Sequence, residues 1–424
     1  MPNTKNSLKS MPLHFKIKRY ILTFFAIFGP ATITAMADND AAGVATYSLA
    51  GAQFGYSILF VLFFVTILLA ITQEMGVRIA MVTGKGLGDI IREKYGVAMS
   101  FVVFGALFIA NTGTVIANFS AIKITATLFG LSPLILIPGI ILISFLFVVK
   151  GNYKSNQNLF LLSAFFYIAY IVSAFKAGPD WGKALSSIVI PQGISFSKEF
   201  LFASIAVLGT TITPWGQFFI NSYIIDKKLS SDKLKYSQIE TYFGAFLTDF
   251  FSFFMIVATA ATLFTHGIKL VSGEQAALAI KPFAGELASS LFGLGILNAG
   301  FMGIIVVSLT TAYAFSEFFG YEGSLDSPFK KGKLFYGIFL FQLILSGSIV
   351  MLPSISLFSI VFYTQSLNAI LLPFLFYFLL TVSNDKEMMG KHTNNKWYNY
   401  FAIIATILIV IASTVSVFQN IIHF

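Results

Sequence analysis

Residues 35–43 read AMADNDAAG, which places Asp38, Asn39 and Asp40 inside a stretch that is otherwise apolar enough to cross a membrane. These three polar residues fall near the middle of an apolar segment that runs from about residue 20 to residue 50. A carboxylate at that depth costs several kcal/mol and is normally retained for a partner or a ligand. The stretch therefore predicts a functional interruption of a transmembrane helix.

The composition of the 424-residue chain is that of a polytopic membrane protein. Hydrophobic residues make up 57% of it and charged residues only 11%. A helix needs about 20 apolar residues to cross a hydrocarbon core about 30 Å thick. Eleven such segments are present, near residues 20–50, 56–82, 98–128, 132–149, 156–176, 200–226, 241–265, 285–319, 334–352, 355–381 and 397–420. Because these segments are continuously apolar, whereas strands of a membrane barrel alternate, the sequence predicts an all-α integral membrane protein.

Charge placement predicts the orientation of the chain in the cell membrane. If the N-terminus is cytoplasmic, 21 of the 27 lysine and arginine residues lie on the cytoplasmic side. The positive-inside rule then predicts a cytoplasmic N-terminus and, with eleven helices, an external C-terminus. The net charge of +9 follows from this topology and requires no nucleic-acid partner. The absence of cysteine excludes disulfides and thiolate metal sites.

A second interruption occurs in the sixth segment. The first segment contains GPATIT at residues 29–34, and the sixth contains GTTIT at residues 209–213 followed by Pro214, which removes a backbone donor. Two interrupted helices at corresponding positions of two five-helix halves indicate a secondary transporter built from inverted repeats. The predicted organisation is a cytoplasmic segment (1–19), a first repeat (20–177), an external loop (178–199), a second repeat (200–382), and a last helix with the C-terminus (383–424).

The two interruptions predict a cation site. No lysine or arginine occurs at matching depth in the first or sixth segment, so the simplest positive partner for the aspartates is a transported cation. An alternative for each aspartate is a capping role, in which its side chain accepts backbone N–H groups at the start of the second half-helix. The residues alone leave both roles open for Asp38 and Asp40.

Two stretches carry a resemblance to a known family. GPATITAMADNDAAGVATYSLAGAQFGYS (29–57) and TQEMGVRIAMVTGKGL (72–87) resemble the Nramp divalent-metal transporters, and the likeness extends over about residues 22–420. The resemblance implies a leucine-transporter-type fold with broken helices 1 and 6. It also implies uptake of a divalent metal ion as the substrate.

The departures from the family pattern concern the metal site. The family's Asp-Pro-Gly-Asn falls on residues 40–43, so Asp40 is kept and Gly43 replaces the asparagine, although Asn39 offers an amide nearby. The family's Ala-x-x-Met falls on Thr210 and Thr213, and the histidine after the proline becomes Trp215. Losing a thioether leaves oxygen ligands, which suit hard cations, and small residues leave room for the waters that Mg²⁺ retains. This pattern is similar to the Nramp-related magnesium transporter branch. The family's acidic pair on the third helix falls on Thr114 and Ala117, and the loss of this pair and of the histidine predicts weak or absent proton coupling.

The resemblance and the polar residues together define the expected site. The expected metal-site residues are Asp40, Asp38, Asn39, Gly43, Thr210, Thr213 and Gln365. The expected lining or gating residues are Trp215, Gly216, Pro214, Asp249, Glu74, Arg78 and Asn368. For Asp249 a second cation contact on the inward path and a hydrogen bond to a neighbouring helix both remain open. Glu74 and Arg78 are four residues apart on one helical face, which favours a structural ion pair over a gate.

Other function classes are disfavoured. The sequence contains no catalytic motif and no nucleotide-binding loop, so it predicts neither an enzyme, nor a cofactor, nor an ATPase subunit as partner. The expected partners are the divalent metal substrate and the lipid bilayer. A proton-coupled Mn²⁺/Fe²⁺ importer of the same family and a Na⁺-coupled amino-acid or organic-solute symporter of the same fold are the alternatives. We expect Mg²⁺, with Mn²⁺ as a second substrate, to enter the cytoplasm by alternating access.

Overall fold

A computed structural model describes residues 28–194, 197–229, 231–270, 276–352 and 357–422, and within these ranges the chain is helical and has no strand. Each predicted segment corresponds to one helix or to two half-helices, which we number α1 to α11. Their bounds are α1a Pro30–Ala37, α1b Ala41–Phe54, α2 Ile58–Thr83, α3 Leu87–Leu128, α4 Pro133–Lys150, α5a Tyr153–Phe165, α5b Ile168–Lys176, α6a Lys198–Thr211, α6b Pro214–Asp226, α7 Leu234–Thr259, α8 Lys281–Phe319, α9 Lys333–Met351, α10 Leu357–Ser383 and α11 Lys396–Ile422.

The first and sixth helices are broken, as the sequence predicts. The halves of α1 contain 8 and 14 residues and the halves of α6 contain 14 and 13, each shorter than the roughly 20 residues needed to cross a bilayer. By length and composition alone, seven continuous helical stretches among the described residues are long and apolar enough to cross one. Residues 37–43 and 210–216, at the two breaks, are buried, so the half-helices end in the interior of the molecule.

Helices α3, α7 and α8 begin 11, 7 and 4 residues before their predicted starts at residues 98, 241 and 285. Within α3 the backbone turns at Gly96, whose φ of 81° favours glycine, and α8 turns in the same way at Gly285 with a φ of 88°. Helix α7 begins at Leu234 rather than at residue 241. Asp249 consequently lies about 22 Å along this helix, whereas the predicted start would have placed it about 12 Å along.

The helices pack so that the break in α1 is surrounded on all sides. Helix α7 packs along both halves of α1 and along α2, while α8 and α10 pack along α3. The α6 halves contact α1, α2 and α8. Large apolar side chains are exposed on the outer faces of α3, α4 and α5, such as Phe101, Ile135 and Phe165. These faces are suited to contact lipid, and the polar groups are gathered inside.

A buried carboxylate fixes the start of α1a. Glu240 of α7 accepts hydrogen bonds at Oε1 from the backbone N–H groups of Gly29 (2.7 Å) and Thr32 (3.1 Å). The first N–H groups of a helix have no intrahelical partner, and a negative charge is favourable at that end. The carbonyl of Phe28 accepts from Gln157 and from Lys227. Helix α1a is thus attached to α5a, α6b and α7 at its predicted cytoplasmic end.

Candidate functional site

The break in α1 leaves backbone carbonyls without their helical donors. Asn39 N–H donates to the carbonyl of Met36 (3.2 Å), which tightens the last turn of α1a. Ala41 N–H donates instead to Asn118 Oδ1 on α3 (2.9 Å). In a continuous helix these two donors would serve the carbonyls of Ala35 and Ala37. The carboxyl end of a helix carries partial negative charge, so the end of α1a favours a cation.

The break in α6 has the same consequence by different chemistry. Pro214 is the first residue of α6b and has no N–H, so the carbonyl of Thr210 lacks the donor that a continuous helix would provide. Thr213 caps α6b, because its Oγ1 accepts from Gly216 N–H (3.1 Å). Ile212 and Thr213 have extended backbone angles between the two halves. Each broken helix therefore presents the carboxyl end of its first half beside the capped start of its second.

Asp38 joins the two breaks. Its Oδ1 accepts a hydrogen bond from Thr213 Oγ1 (3.2 Å), and its Oδ2 accepts one from Gln73 Nε2 of α2 (3.1 Å). A Cβ atom on Gly216 would lie 2.9 Å from Asp38 Oδ1. The carboxylate is thus held between α1, α2 and α6 by neutral donors, and a glycine leaves it the room to lie there.

Asp40 has the capping geometry. It is the N-cap of α1b, and its Oδ1 accepts from Gly43 N–H (2.9 Å) while its Oδ2 accepts from Asn118 Nδ2 (2.8 Å). Asn118 also accepts from Ala41 N–H, so one amide on α3 satisfies both the cap and the first amide of α1b. Of the two roles that the sequence left open for Asp40, the cap is the one visible in this arrangement.

Gly43 and Thr210 lie close together behind the aspartates. A Cβ atom on Gly43 would lie 2.7 Å from the carbonyl oxygen of Asp38 and 3.6 Å from Thr210 Oγ1. Glycine at this position therefore permits the close approach of the Asp38 backbone. Since glycine has no side chain, Gly43 contributes space to the site, and Thr210 contributes a hydroxyl and a freed carbonyl.

Asn39 faces away from the aspartate side of the break. Its Oδ1 accepts from Ser252 Oγ (2.8 Å), and its Nδ2 donates to the carbonyl of Thr248 (2.8 Å), both on α7. Its backbone carbonyl accepts from Tyr167 Oη between α5a and α5b (2.8 Å). Both side-chain atoms of Asn39 are engaged, so its visible role is to hold the broken stretch against α7.

The remaining expected residues divide between the site and its surroundings. Trp215 follows the break on α6b and is buried in the hydrophobic core. Asn368 of α10 is also buried, with Nδ2 3.5 Å from Thr114 Oγ1 of α3. Gln365 belongs to the same helix, but its side chain lies outside the described residues. Asp249 lines a separate cavity between α2 and α7.

Glu74 and Arg78 form a buried ion pair on α2. Two N–O contacts of 2.9 and 3.1 Å join the guanidinium to the carboxylate, which is the paired geometry that arginine provides. Arg78 also donates to the carbonyl of His392 and to Asn394, before α11, and Gln238 of α7 donates to Glu74. The pair thus joins three parts of the chain, in keeping with the structural interpretation that its spacing favours.

Sequence reasoning missed four residues that hold the site together. Gln73 and Asn118 hydrogen-bond to the aspartates, Ser252 holds Asn39, and Glu240 fixes the start of α1a. Each of the first three is a polar side chain in an otherwise apolar helix, and that is the signal that could have identified it. Their pairing with the first helix depends on contacts between distant parts of the chain, which no local pattern contains.

Comparison with known proteins gives a family match over most of the chain. The family model described as Natural resistance-associated macrophage protein-like matches residues 31–419. A curated relative, the divalent metal cation transporter MntH of Levilactobacillus brevis, is 22% identical over 418 residues, covering 94% of this chain and 89% of that protein.

Solved structures share the fold. The Eremococcus coleocola manganese transporter, in complex with an aromatic bis-isothiourea substituted compound, has a TM-score of 0.74 at 18% identity and covers 93% of this chain and 86% of its own. A nucleobase-cation-symport-1 family transporter in a closed conformation has a TM-score of 0.53 at 14% identity, covering 93% of this chain and 91% of its own.

These comparisons confirm two predictions from the sequence. The leucine-transporter-type fold with broken first and sixth helices is confirmed by the solved structures. The expectation of a transporter rather than an enzyme is confirmed by the family match and the curated relative. Because the family match extends over most of the chain, the chain belongs to the natural resistance-associated macrophage protein-like (Nramp) family of transporters.

Proposed function

We propose that this chain moves a divalent metal cation into the cytoplasm by alternating access, with a preference for Mg²⁺ and with weak or no proton coupling. The observation that carries the proposal is the Asp38 carboxylate, held between the breaks of α1 and α6 by a hydroxyl and an amide. Neither of these partners is cationic, so the charge of Asp38 is left for a ligand. The metal is the substrate and is bound only in passage.

The groups around Asp38 favour a hard cation. They are the carboxylate itself, the hydroxyl of Thr213, the amide of Gln73, and the carbonyl of Thr210 that Pro214 leaves without a donor. Gln73 Oε1 is buried without a hydrogen-bond partner among the described residues, and it becomes available to a cation when the amide group, whose Nε2 now faces Asp38, turns over. All these ligand atoms are oxygen, which suits Mg²⁺ and also Mn²⁺ but gives no advantage to softer metals.

The two aspartates have different proposed roles. Asp38 makes the direct contact, because its donors are side chains that a cation can displace. Asp40 accepts from Gly43 N–H and from Asn118, so it supplies negative charge to the site while it caps α1b. Asn39 is engaged with α7 on both atoms of its amide, and we therefore assign it a positioning role beside the metal rather than a direct contact.

Transport requires the site to open. Asp38, Asp40, Thr210 and Thr213 are each 7% exposed or less, so the site is buried in this arrangement. The breaks in α1 and α6 supply backbone that can rotate without disrupting whole helices. With the cytoplasmic N-terminus that the charges predict, we place the inward path beside the start of α1a, where Glu240 holds it closed. The residues 20–177 and 200–382 would then act as the two inverted repeats.

Weak proton coupling follows from the residues near the breaks. Among the described residues there, Trp215 occupies the place of the family's histidine, and Thr114 and Ala117 occupy the places of its acidic pair on the third helix. Histidine is the side chain that most readily exchanges a proton near neutral pH. Without it, metal entry should bring few protons with it.

The test is uptake into proteoliposomes that contain the purified chain and a trapped pH dye, with Mg²⁺ and Mn²⁺ compared. We expect Mg²⁺ to enter without acidifying the lumen, and Asp38→Asn to abolish entry. Asp40→Asn preserves an N-cap and should reduce entry less. Asp180→Asn, at an exposed acid that caps the short helix Trp181–Val189, is the matched control. Equal loss with Asp38→Asn and this control would refute the assignment.

A second candidate is favoured by the comparisons. The relatives are named for divalent metal cations and, in the solved structure, for manganese. A proton-coupled Mn²⁺ importer would show Mn²⁺ entry with lumenal acidification and little Mg²⁺ entry in the same experiment. A Na⁺-coupled organic-solute symporter would share only the fold with this chain. For that alternative, an organic solute added to the uptake assay should displace neither Mg²⁺ nor Mn²⁺.

A further inference from the structure

A cavity of about 700 Å³ lies on the predicted cytoplasmic side of the molecule. Its wall combines one turn of α2 with the start of α7 and with residues 391–395, which precede α11. None of its described lining residues belongs to either helix break. We call it the basic pocket, because Arg78, Lys235 and Lys391 are among its lining residues.

The basic pocket has an excess of positive charge. Its two acids already have partners, since Glu74 is paired with Arg78 and Asp232 Oδ2 lies 2.8 Å from Lys233 Nζ. Lys235 and Lys391 are exposed, and neither forms an ion pair among the described residues. An anion that enters the pocket therefore meets two accessible ammonium groups that no carboxylate neutralises.

Two helices begin at the basic pocket. Helix α7 starts at the lining residue Leu234, and the side chain of its N-cap residue, Lys233, makes no capping hydrogen bond. Helix α11 starts at Lys396, directly after the lining residue Asn395. The amino end of a helix carries partial positive charge. Both helix starts therefore add to the attraction that the two lysines exert on an anion.

Aromatic side chains place the basic pocket at the membrane surface. Trp397 and Tyr400, in the first turns of α11, are 78% and 64% exposed, and Tyr242 in the wall of the pocket is 44% exposed. Tryptophan and tyrosine are enriched where a membrane meets water, because their rings have an apolar body and a polar edge. The pocket is therefore at the depth of lipid headgroups.

An apolar stripe on α2 continues from the basic pocket into the membrane. Ile67, Ile71, Glu74 and Arg78 are three or four residues apart, so they lie along one face of the helix. Ile67 is 42% exposed and Ile71 is partly buried, whereas the two charged residues line the pocket. A ligand with an anionic head and a hydrocarbon tail fits both parts of this face.

We propose that the basic pocket binds an anionic phospholipid of the leaflet on the predicted cytoplasmic side, with its phosphate facing Lys235 and Lys391 and an acyl chain along the α2 stripe. Basic pockets between helices on the cytoplasmic side suit anionic lipid headgroups. A zwitterionic headgroup carries a cation of its own, which the lysines repel, and a free phosphate has no chain for the stripe. The proposal does not depend on which metal the chain transports.

The test measures binding of phosphatidylglycerol with a fluorescent label on one acyl chain to the purified, delipidated chain in a neutral detergent. Unlabelled phosphatidylglycerol and phosphatidylcholine with identical acyl chains are the matched competitors, because they differ in net headgroup charge. We expect saturable binding that phosphatidylglycerol displaces and phosphatidylcholine does not. Inorganic phosphate, compared with chloride at equal ionic strength, should displace the probe far less than phosphatidylglycerol.

Variants then assign the binding to the basic pocket. Replacing both Lys235→Gln and Lys391→Gln should weaken probe binding about 30-fold, because each lysine near an anionic headgroup is expected to contribute about fivefold. Replacing both Lys330→Gln and Lys331→Gln is the matched control. It removes two exposed lysines from the same predicted side, between α8 and α9 and outside the pocket, and should leave binding nearly unchanged.

Three results would overturn the proposal. Equal displacement by phosphatidylcholine would mean that headgroup charge is not recognised. Displacement by inorganic phosphate as readily as by phosphatidylglycerol would assign the pocket to a free anion. Equal binding by the two double variants would mean that Lys235 and Lys391 have no special role. The unfolding temperature of each variant without lipid shows whether it is folded, and if one is not, the competition in the unmodified chain still decides the question.

Discussion

Replacing Gly216 by alanine is the sharpest perturbation of the proposed cation site. The new Cβ would lie 2.9 Å from Asp38 Oδ1 and 2.9 Å from Thr213 Oγ1, whereas ordinary van der Waals contact begins at 3.4 Å. The carboxylate and the hydroxyl must therefore each retreat by about 0.5 Å. In enzymes, misplacing a reacting group by 1 Å lowers the rate about 100-fold. If the cation site is equally sensitive to position, the retreat of about 0.5 Å should lower Mg²⁺ uptake roughly tenfold.

The same substitution should affect stability only slightly. Both displaced atoms are ends of side chains, so the overpacking should cost no more than about 2 kcal/mol. Gain in helix propensity from glycine to alanine, up to about 1 kcal/mol, offsets part of that cost. Uptake should therefore fall much further than the thermal unfolding temperature, which separates a site effect from a folding effect.

The assay is initial Mg²⁺ uptake per folded protein in proteoliposomes, together with thermal unfolding of the same sample. Gly209→Ala is the matched control, because Gly209 lies on the other side of the same break and a Cβ there would meet no atom within 4 Å. Uptake by Gly216→Ala at the unmodified rate would refute the reasoning, since it would show that the position of the Asp38 carboxylate does not matter.

Three further predictions concern the groups that hold the site. Asn118→Leu removes the partners of Asp40 and of the first amide of α1b, so the free energy of unfolding should fall by about 2 to 4 kcal/mol in a denaturation assay. Glu240→Ala should accelerate hydrogen exchange at Thr32, while exchange in α9 stays unchanged, because it frees the start of α1a. Arg78→Lys should lower the unfolding temperature although the charge is kept, since lysine cannot reproduce the paired contacts to Glu74, and an unchanged temperature would contradict this.

The positions of the breaks could be predicted from sequence, but their internal geometry could not. Pro214 lacks an amide donor and the aspartates are costly in lipid, so each marks an interruption by local chemistry alone. Whether Asp40 caps or coordinates depends instead on its extended backbone, with a ψ of 177°, and on Asn118, 78 residues away. That partnership is created by the packing of α3 against α1, which the local sequence does not encode.

The depth of Asp249 shows a second limit. The apolar run that defines the seventh span begins only at residue 241, whereas the helix continues through the polar residues that precede it. Hydropathy identifies the part of a helix in lipid and misses the turns beyond it. The seven residues before the predicted start raise the distance of Asp249 from the beginning of the helix from about 12 Å to about 22 Å, and its side chain lines a cavity between α2 and α7.

Neighbouring residues in the break of α1 are attached to different helices. Asp38 is bonded to α2 and α6b, whereas Asn39 is bonded to α7 on both atoms of its amide. Any sliding of α6b past α7 must therefore be absorbed by the few torsions that join these two residues. A cation that displaced Thr213 from Asp38 would remove the contact between α1 and the start of α6b. The contacts of Asn39 with α7 would stay. Binding of the ion would therefore free α6b, but not α7, to move relative to the break in α1.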